Sequence, residues 1–136
     1  SDIDSNSTDP LAIVSELQLT QEERAWIAAH PEIRVSGEAN WPPFEFVGRD
    51  GVWQGIGADY LHLALARLGI KAKMELERPW EEKLAMLRSG ELDMAGSMGR
   101  SAERETYLNF TSSYFDNPVV IVSRRGGEDI VTMDQL

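Results

Sequence analysis

The feature that most constrains this chain is a change of hydrophobic period, repeated along its length. Short stretches alternate apolar and polar residues at every second position. Between them run stretches whose apolar residues recur at helical spacing. Ile33-Arg34-Val35-Ser36 alternates like a strand and runs into Gly37. After the turn-rich Asn40-Trp41-Pro42-Pro43, Phe44-Glu45-Phe46-Val47 alternates again. Arg49-Asp50-Gly51 supplies turn chemistry and Val52-Trp53 returns, which predicts a hairpin. From Gly57 the period lengthens: Tyr60, Leu61, Leu63, Ala64, Leu65 and Leu68 form an apolar helical face, with Gly69 as its stop. Ala72, Met74 and Leu76 then alternate with Lys71, Lys73 and Glu75. Trp80 to Arg88 reads as a helix with Leu84 and Leu87 inward and Gly90 at its end. Leu92-Asp93-Met94-Ala95-Gly96 is short and mostly apolar, like a buried parallel strand. Ser101 caps a short helix reaching to about Tyr107, and Pro118-Val119-Val120-Ile121-Val122 is the most strand-prone run of all.

Strands alternating with helices fold as parallel strands joined by right-handed crossovers. The fold class expected is therefore α/β, a three-layer sandwich with a mostly parallel sheet. Ahead of it, Asp9-Pro10 can open a short helix. Thr20 and Glu23 have the capping-box spacing of a second helix, which Pro31 stops at His30. Residues 1–19 are thus a flexible or helical lead-in. Arg125 to Asp129 reads as a connector, and Thr132 to Leu136 begins another short helix.

Charge and composition remove several kinds of function. Acidic residues outnumber basic ones 23 to 13, giving a net charge of −10. Nucleic acids and anionic lipid surfaces both demand a basic footprint, so neither is an expected partner. With no cysteine, disulfides, thiolate chemistry and zinc–sulfur sites are excluded. His30 and His62 lie in separate predicted helices without metal-ligand spacing, so no metal or other cofactor is expected. No apolar run reaches the roughly 20 residues of a membrane span. The N-terminal SDIDSNSTDP lacks the basic flank and apolar stretch of a signal peptide, so an exported protein would have lost its signal. Ser97 lacks a strained nucleophile elbow and no histidine partners it, and Gly55-Ile56-Gly57 falls short of a dinucleotide loop. A binding module is expected, not an enzyme.

Open α/β sheets take ligands at the carboxyl ends of their strands. Two loops follow from that rule, Gly37 to Phe44 and Ser97 to Arg104. In the first, Glu38, Trp41 and Phe44 stand beside two prolines, either as a preorganised wall or as a plug for the end of the sheet. In the second, Ser97, Met98 and Gly99 gather a hydroxyl and accessible amides. Arg104 falls at the third position of the helix that Ser101 caps. A cation there opposes the helix dipole unless an anionic ligand answers both; the plainer alternative is an exposed ion pair with Glu103, Glu105 or a nearby Asp. Trp80 either lines the same cleft or staples its helix to the sheet. Asp93 reads as a capping or turn group.

These residues also match a known pattern. Val35 to Phe44 (VSGEANWPPF), Gly55 to Leu61 (GIGADYL), Gly90 to Gly96 (GELDMAG), Ser101 to Arg104, Phe110-Thr111 and Tyr114-Phe115 together resemble the family 3 bacterial solute-binding proteins over about residues 33 to 124. The lead-in from Leu19 to Ile27, with His30-Pro31, resembles that of such domains in membrane-anchored sensors, among them hybrid histidine kinases and cyclic-di-GMP signalling proteins. The resemblance implies one lobe of a periplasmic two-lobed, Venus-flytrap domain. Residues 20–124 would form lobe 1, and 125–136 the hinge and the truncated start of lobe 2. It implies an amino acid or other small carboxylate as ligand, clamped against a second lobe that is missing here. By position, Arg104 would hold the ligand carboxylate with Ser97 and the Gly99 amide. Glu38 would face the ammonium, and Trp41 and Trp80 would line the side-chain pocket. The family often has Thr-Pro at Ser101-Ala102 and Asp at Glu38, and Arg100 adds a cation near the cleft. A clamp with one jaw loses roughly half its contacts, which predicts weak binding. The implied role is a sensor domain of a transmembrane signalling protein. The alternatives are a free receptor for an ABC amino-acid transporter and the binding-protein-like part of an enzyme such as a lytic transglycosylase. If uncovered, the edge at Pro118–Val122 invites pairing between chains, as a homodimer or strand swap.

Overall fold

The computed structural model describes residues 17–122, 124–127, 132 and 134. The expected helix at Asp9-Pro10, the connector through Glu128-Asp129 and most of the Thr132–Leu136 helix lie outside the described residues.

Helix α1, Gln21–Ala29, begins as its capping box requires. The Glu23 amide donates to the Thr20 hydroxyl at 3.1 Å, and the Thr20 amide donates to the Glu23 carboxylate at 2.7 Å. Pro31 follows at once, and the chain turns into strand β1, Glu32–Ser36. Next come three very short strands, β2 (Asn40–Trp41), β3 (Glu45–Val47) and β4 (Trp53–Gln54). They pair antiparallel in the order β2-β3-β4. The expected hairpin is β3-β4; β2 is an added strand where only a turn was expected. Helix α2, Ile56–Leu68, strand β5, Lys71–Glu75, helix α3, Trp80–Ser89, and strand β6, Met94–Ala95, complete the regular elements.

The principal sheet is parallel, in the order β5-β1-β6. β1 lies in its middle, with Val35 opposite Met74 on one side and Met94 on the other. Ile33 and Val35 point to one face, where Ala58, Leu61 and Leu65 of α2 cover them together with Trp53 and Ile70. Burying such side chains stabilises the fold by about 1.5–3 kcal/mol apiece. Arg34 points the other way, and its guanidinium donates to the Gly90 carbonyl at the end of α3 at 2.8 Å. Helices thus cover both faces, and the chain is an α/β three-layer unit. Both α2 and α3 end on a glycine with left-handed φ, at Gly69 and Gly90. No helix among the described residues is long and apolar enough to cross a membrane.

Three expectations need correction. The inward face of α2 is narrower than its sequence suggests, since Tyr60 and Leu63 are about half exposed. The segment after Ser101 is a single 3-10 turn, Arg104–Thr106, rather than an α-helix, so Arg104 opens the turn instead of standing third in a helix. Pro118–Val122 forms no strand and lies bare, Val119 at 95% exposure. Strand propensity expresses fit to a half-buried pleated surface, and this run has no such neighbour among the described residues.

Candidate functional site

The two loops chosen from the sequence converge. A cleft of about 410 Å³ opens at the carboxyl ends of β1 and β6, lined by Glu38, Asn40, Trp41, Trp80, Ser97, Met98, Gly99 and Arg104. Phe44 does not line it. That ring is half-buried, packs on Trp41 with centroids 4.8 Å apart, and fronts an adjoining cavity of about 460 Å³. Trp41 is 39% exposed, so it is a wall of the cleft and not a plug.

The loop after β1 is held from three directions. The Glu38 amide donates to Glu45 Oε2 at 2.7 Å. The Glu38 carbonyl accepts from the Trp53 indole at 3.1 Å. The Glu38 carboxylate pairs with Lys83 Nζ at 3.0 Å, and the same ammonium donates to the Gly37 carbonyl at 2.6 Å. Lys83 and Glu45 are each 1% exposed. Burial pushes the Glu45 carboxyl above its ordinary range, opposed first by the hydrogen bond from the Ser97 hydroxyl and then by that from the Glu38 amide. Neither Lys83 nor Glu45 was expected here. In the sequence Lys83 looks like a solvated helix charge and Glu45 like the outer residue of an alternating strand. The spacing of Lys83 three residues after Trp80 and four before Leu87 is the one available sign that it faces inward.

The loop after β6 is built differently. The Ser97 hydroxyl lies 2.6 Å from the Tyr114 hydroxyl, which donates to the Gly96 carbonyl at 3.1 Å. The Ser97 hydroxyl is thus engaged between Tyr114 and the buried Glu45 carboxylate. This limits what Ser97 can give a ligand carboxylate, and Tyr114 is a partner the sequence did not announce. Close approach of α2 requires Gly57, where a β-carbon would collide with the Ser97 hydroxyl. The α2 start is closed to ligands, since the Ile56 and Gly57 amides donate to the Pro43 and Phe44 carbonyls.

Arg104 is half-buried, donates through Nη1 to the Gly99 carbonyl at 2.8 Å, and lies over the Trp80 ring at 5.5 Å. Two of the surface partners considered for it are taken elsewhere: Glu103 pairs with Arg88 and Glu105 with Arg100, at 3.0 and 3.1 Å. Among the described residues Arg104 has no acidic partner. Arg100, by contrast, is a compensated cation. The Ser101 hydroxyl accepts from the Arg104 amide at 3.3 Å, fixing the turn. Asp93 is neither cap nor ligand contact. Its carboxylate takes the Arg34 amide at 2.7 Å and the Arg34 guanidinium at 2.8 Å, tying β1 to the start of β6. Those bonds hold the Asp93 carboxyl below its ordinary range. No group of three or more metal-ligating side chains occurs among the described residues.

The sequence profile of the bacterial extracellular solute-binding proteins, family 3, matches residues 33–135. The virulence sensor protein BvgS of Bordetella pertussis is 36% identical over 114 residues, spanning 84% of this chain and 9% of that protein. The crystal structure of the periplasmic VFT2 domain of BvgS is similar at TM-score 0.58 and 34% identity, over 64% of this chain and 37% of that one. An arginine-bound form of domain 1 from TmArgBP is similar at TM-score 0.59 and 28% identity, over 68% of this chain and 72% of that one. The chain thus spans about a tenth of the length of its sensor relative.

Proposed function

The chain belongs to the bacterial extracellular solute-binding proteins, family 3, and on that premise we propose that it is the extracytoplasmic ligand-binding lobe of a transmembrane sensor. Residues 20–124 would be lobe 1, with 125–136 leading toward a second lobe. Its ligand is a small carboxylate, amino-acid-like in size. Arg104 holds the carboxylate, with the Gly99 amide beside it, while Trp41 and Trp80 flank the ligand body and Phe44 backs Trp41. Closure on the ligand shifts an open–closed equilibrium that the parent protein transmits.

One observation carries this reading. Arg104 presents a cation with no acidic partner among the described residues, over an aromatic ring in a concave site. Carboxylate recognition uses that guanidinium fork. That a relative's first domain is arginine-bound supports binding by one lobe alone, although a second jaw would strengthen it. Similarity to arginine-binding proteins supports a second reading, a free receptor; a membrane helix in the full gene product decides for the sensor.

The test is a titration of the chain with a panel of L-amino acids and simple carboxylates, read by tryptophan fluorescence. At least one should bind, and Arg104→Ala should weaken it about tenfold or more while costing no more than about 1.5 kcal/mol of stability. Equal affinity in Arg104→Ala, or no binding by any member of the panel, overturns the assignment.

A further inference from the structure

The acidic group of the cleft is already answered from inside the protein. Glu38, whose side chain is 29% exposed, gives one carboxylate oxygen to Lys83, which is almost fully buried and also bonded to the Gly37 carbonyl. Helix α3 thus serves the cleft twice. At its start Trp80 lies under Arg104, and one turn on Lys83 reaches inward to Glu38. Arg100, the other cation near the cleft, is neutralised by Glu105. Among the described residues, the charges left at the site are one pair that cancels and one cation without an acidic partner.

We propose that Lys83 is a specificity-determining residue: by supplying the cation for Glu38 from within, it makes the cleft select small carboxylates lacking an ammonium group over zwitterionic amino acids. The proposal rests on the reading of Arg104 as the carboxylate holder. A ligand ammonium approaching Glu38 meets a second ammonium on the same carboxylate, and repulsion between like charges grows as water is excluded. A carboxylate with a neutral body can face Arg104 and the walls of Trp41, Trp80 and Met98, and brings no cation toward the Glu38–Lys83 pair. A buried ion pair is a costly way to hold a loop, and often adds little net stability over apolar packing. A role in setting the charge of the site accounts for keeping it.

Hydrocinnamate and L-phenylalanine share ring, chain length and carboxylate and differ only in the ammonium group. Calorimetric titration of both into the wild type should show hydrocinnamate binding about tenfold tighter or more. Lys83→Met keeps the length and loses the charge, so Glu38 becomes free for the ligand ammonium. It should shift the preference about tenfold toward phenylalanine, and Glu38→Gln added to it should reverse the shift. A wild type that prefers phenylalanine overturns the proposal, whatever the folding of the variants. So does a ratio unchanged in both variants while Arg104→Ala still abolishes binding, a result that spares the site itself. Failure of both ligands to bind the wild type removes the carboxylate site and this proposal together.

Discussion

The two walls of the cleft are made by opposite means. The wall after β1 is pinned by groups out of reach of water, with Glu45, Trp53 and Lys83 each holding a different part of Glu38. The wall after β6 rests on bonds at half-exposed or exposed residues, Arg104 to Gly99 and Ser97 to Tyr114. Buried polar bonds resist exchange with solvent, whereas exposed ones trade with water at little cost. One wall therefore fixes the shape of the site, and the other can adjust its cation to a ligand. A cleft with two rigid walls would have to be preformed to fit; one with two soft walls would lose much of its affinity to ordering.

The sharpest way to break this contrast is to take the central group from the pinned wall. Lys83→Ala leaves Glu38 and the Gly37 carbonyl without their donor and should cost about 3–5 kcal/mol in urea denaturation. A loss no larger than that of a surface substitution would erase the distinction between the walls. Glu45→Ala should cost less, about 1–3 kcal/mol, because it takes the acceptor from the part-buried Glu38 amide. Glu45→Gln adds a pH signature. Burial raises the folded-state value of the Glu45 carboxyl above its unfolded one, so the folded form binds the extra proton. That contribution is complete at low pH and is lost as pH rises from the ordinary carboxylate range through the raised value. Wild-type stability should therefore fall relative to Glu45→Gln across this window, and parallel curves would refute the burial argument. Asp93→Asn tests an exposed tie and should cost under about 1 kcal/mol at neutral pH. Here the carboxyl is held low by Arg34, so the wild-type advantage is present above the ordinary Asp range and disappears as pH drops through the depressed value. Guanidine melts of both proteins at several pH values would show it.

What could be read beforehand follows from how local the cause is. The capping box at Thr20, the stops at Gly69 and Gly90 and the alternation of β1 depend on neighbours in sequence, and each was legible. So was the location of the cleft, because the rule for parallel sheets needs only strand direction. The chemistry inside it was half legible. Arg104, Trp80 and Trp41 met where the loops implied, yet their company did not. Lys83 and Glu45 are charged residues in positions where charge ordinarily means solvent. Only the tertiary closeness of α3, β3 and the loop after β1 turns them inward. Ser97 was placed well but lent to Tyr114, a residue seventeen positions later. Pro118–Val122 failed for the converse reason: its composition suits a sheet, and no sheet edge adjoins it among the described residues.

The central place of β1 governs how the molecule can be made. Arg34 bonds to a partner 59 positions later, and the flanking strand β5 also follows by dozens of residues. A nascent chain that has released β1 holds an apolar ribbon with nothing to lie against until α2 and β5 emerge from the ribosome, and its second edge stays open until β6 follows. Such distant pairings close slowly and together. Ile33 and Val35 must therefore be shielded from other exposed edges during synthesis, and the cleft, which needs the loop after β6, cannot form before that strand has joined the sheet.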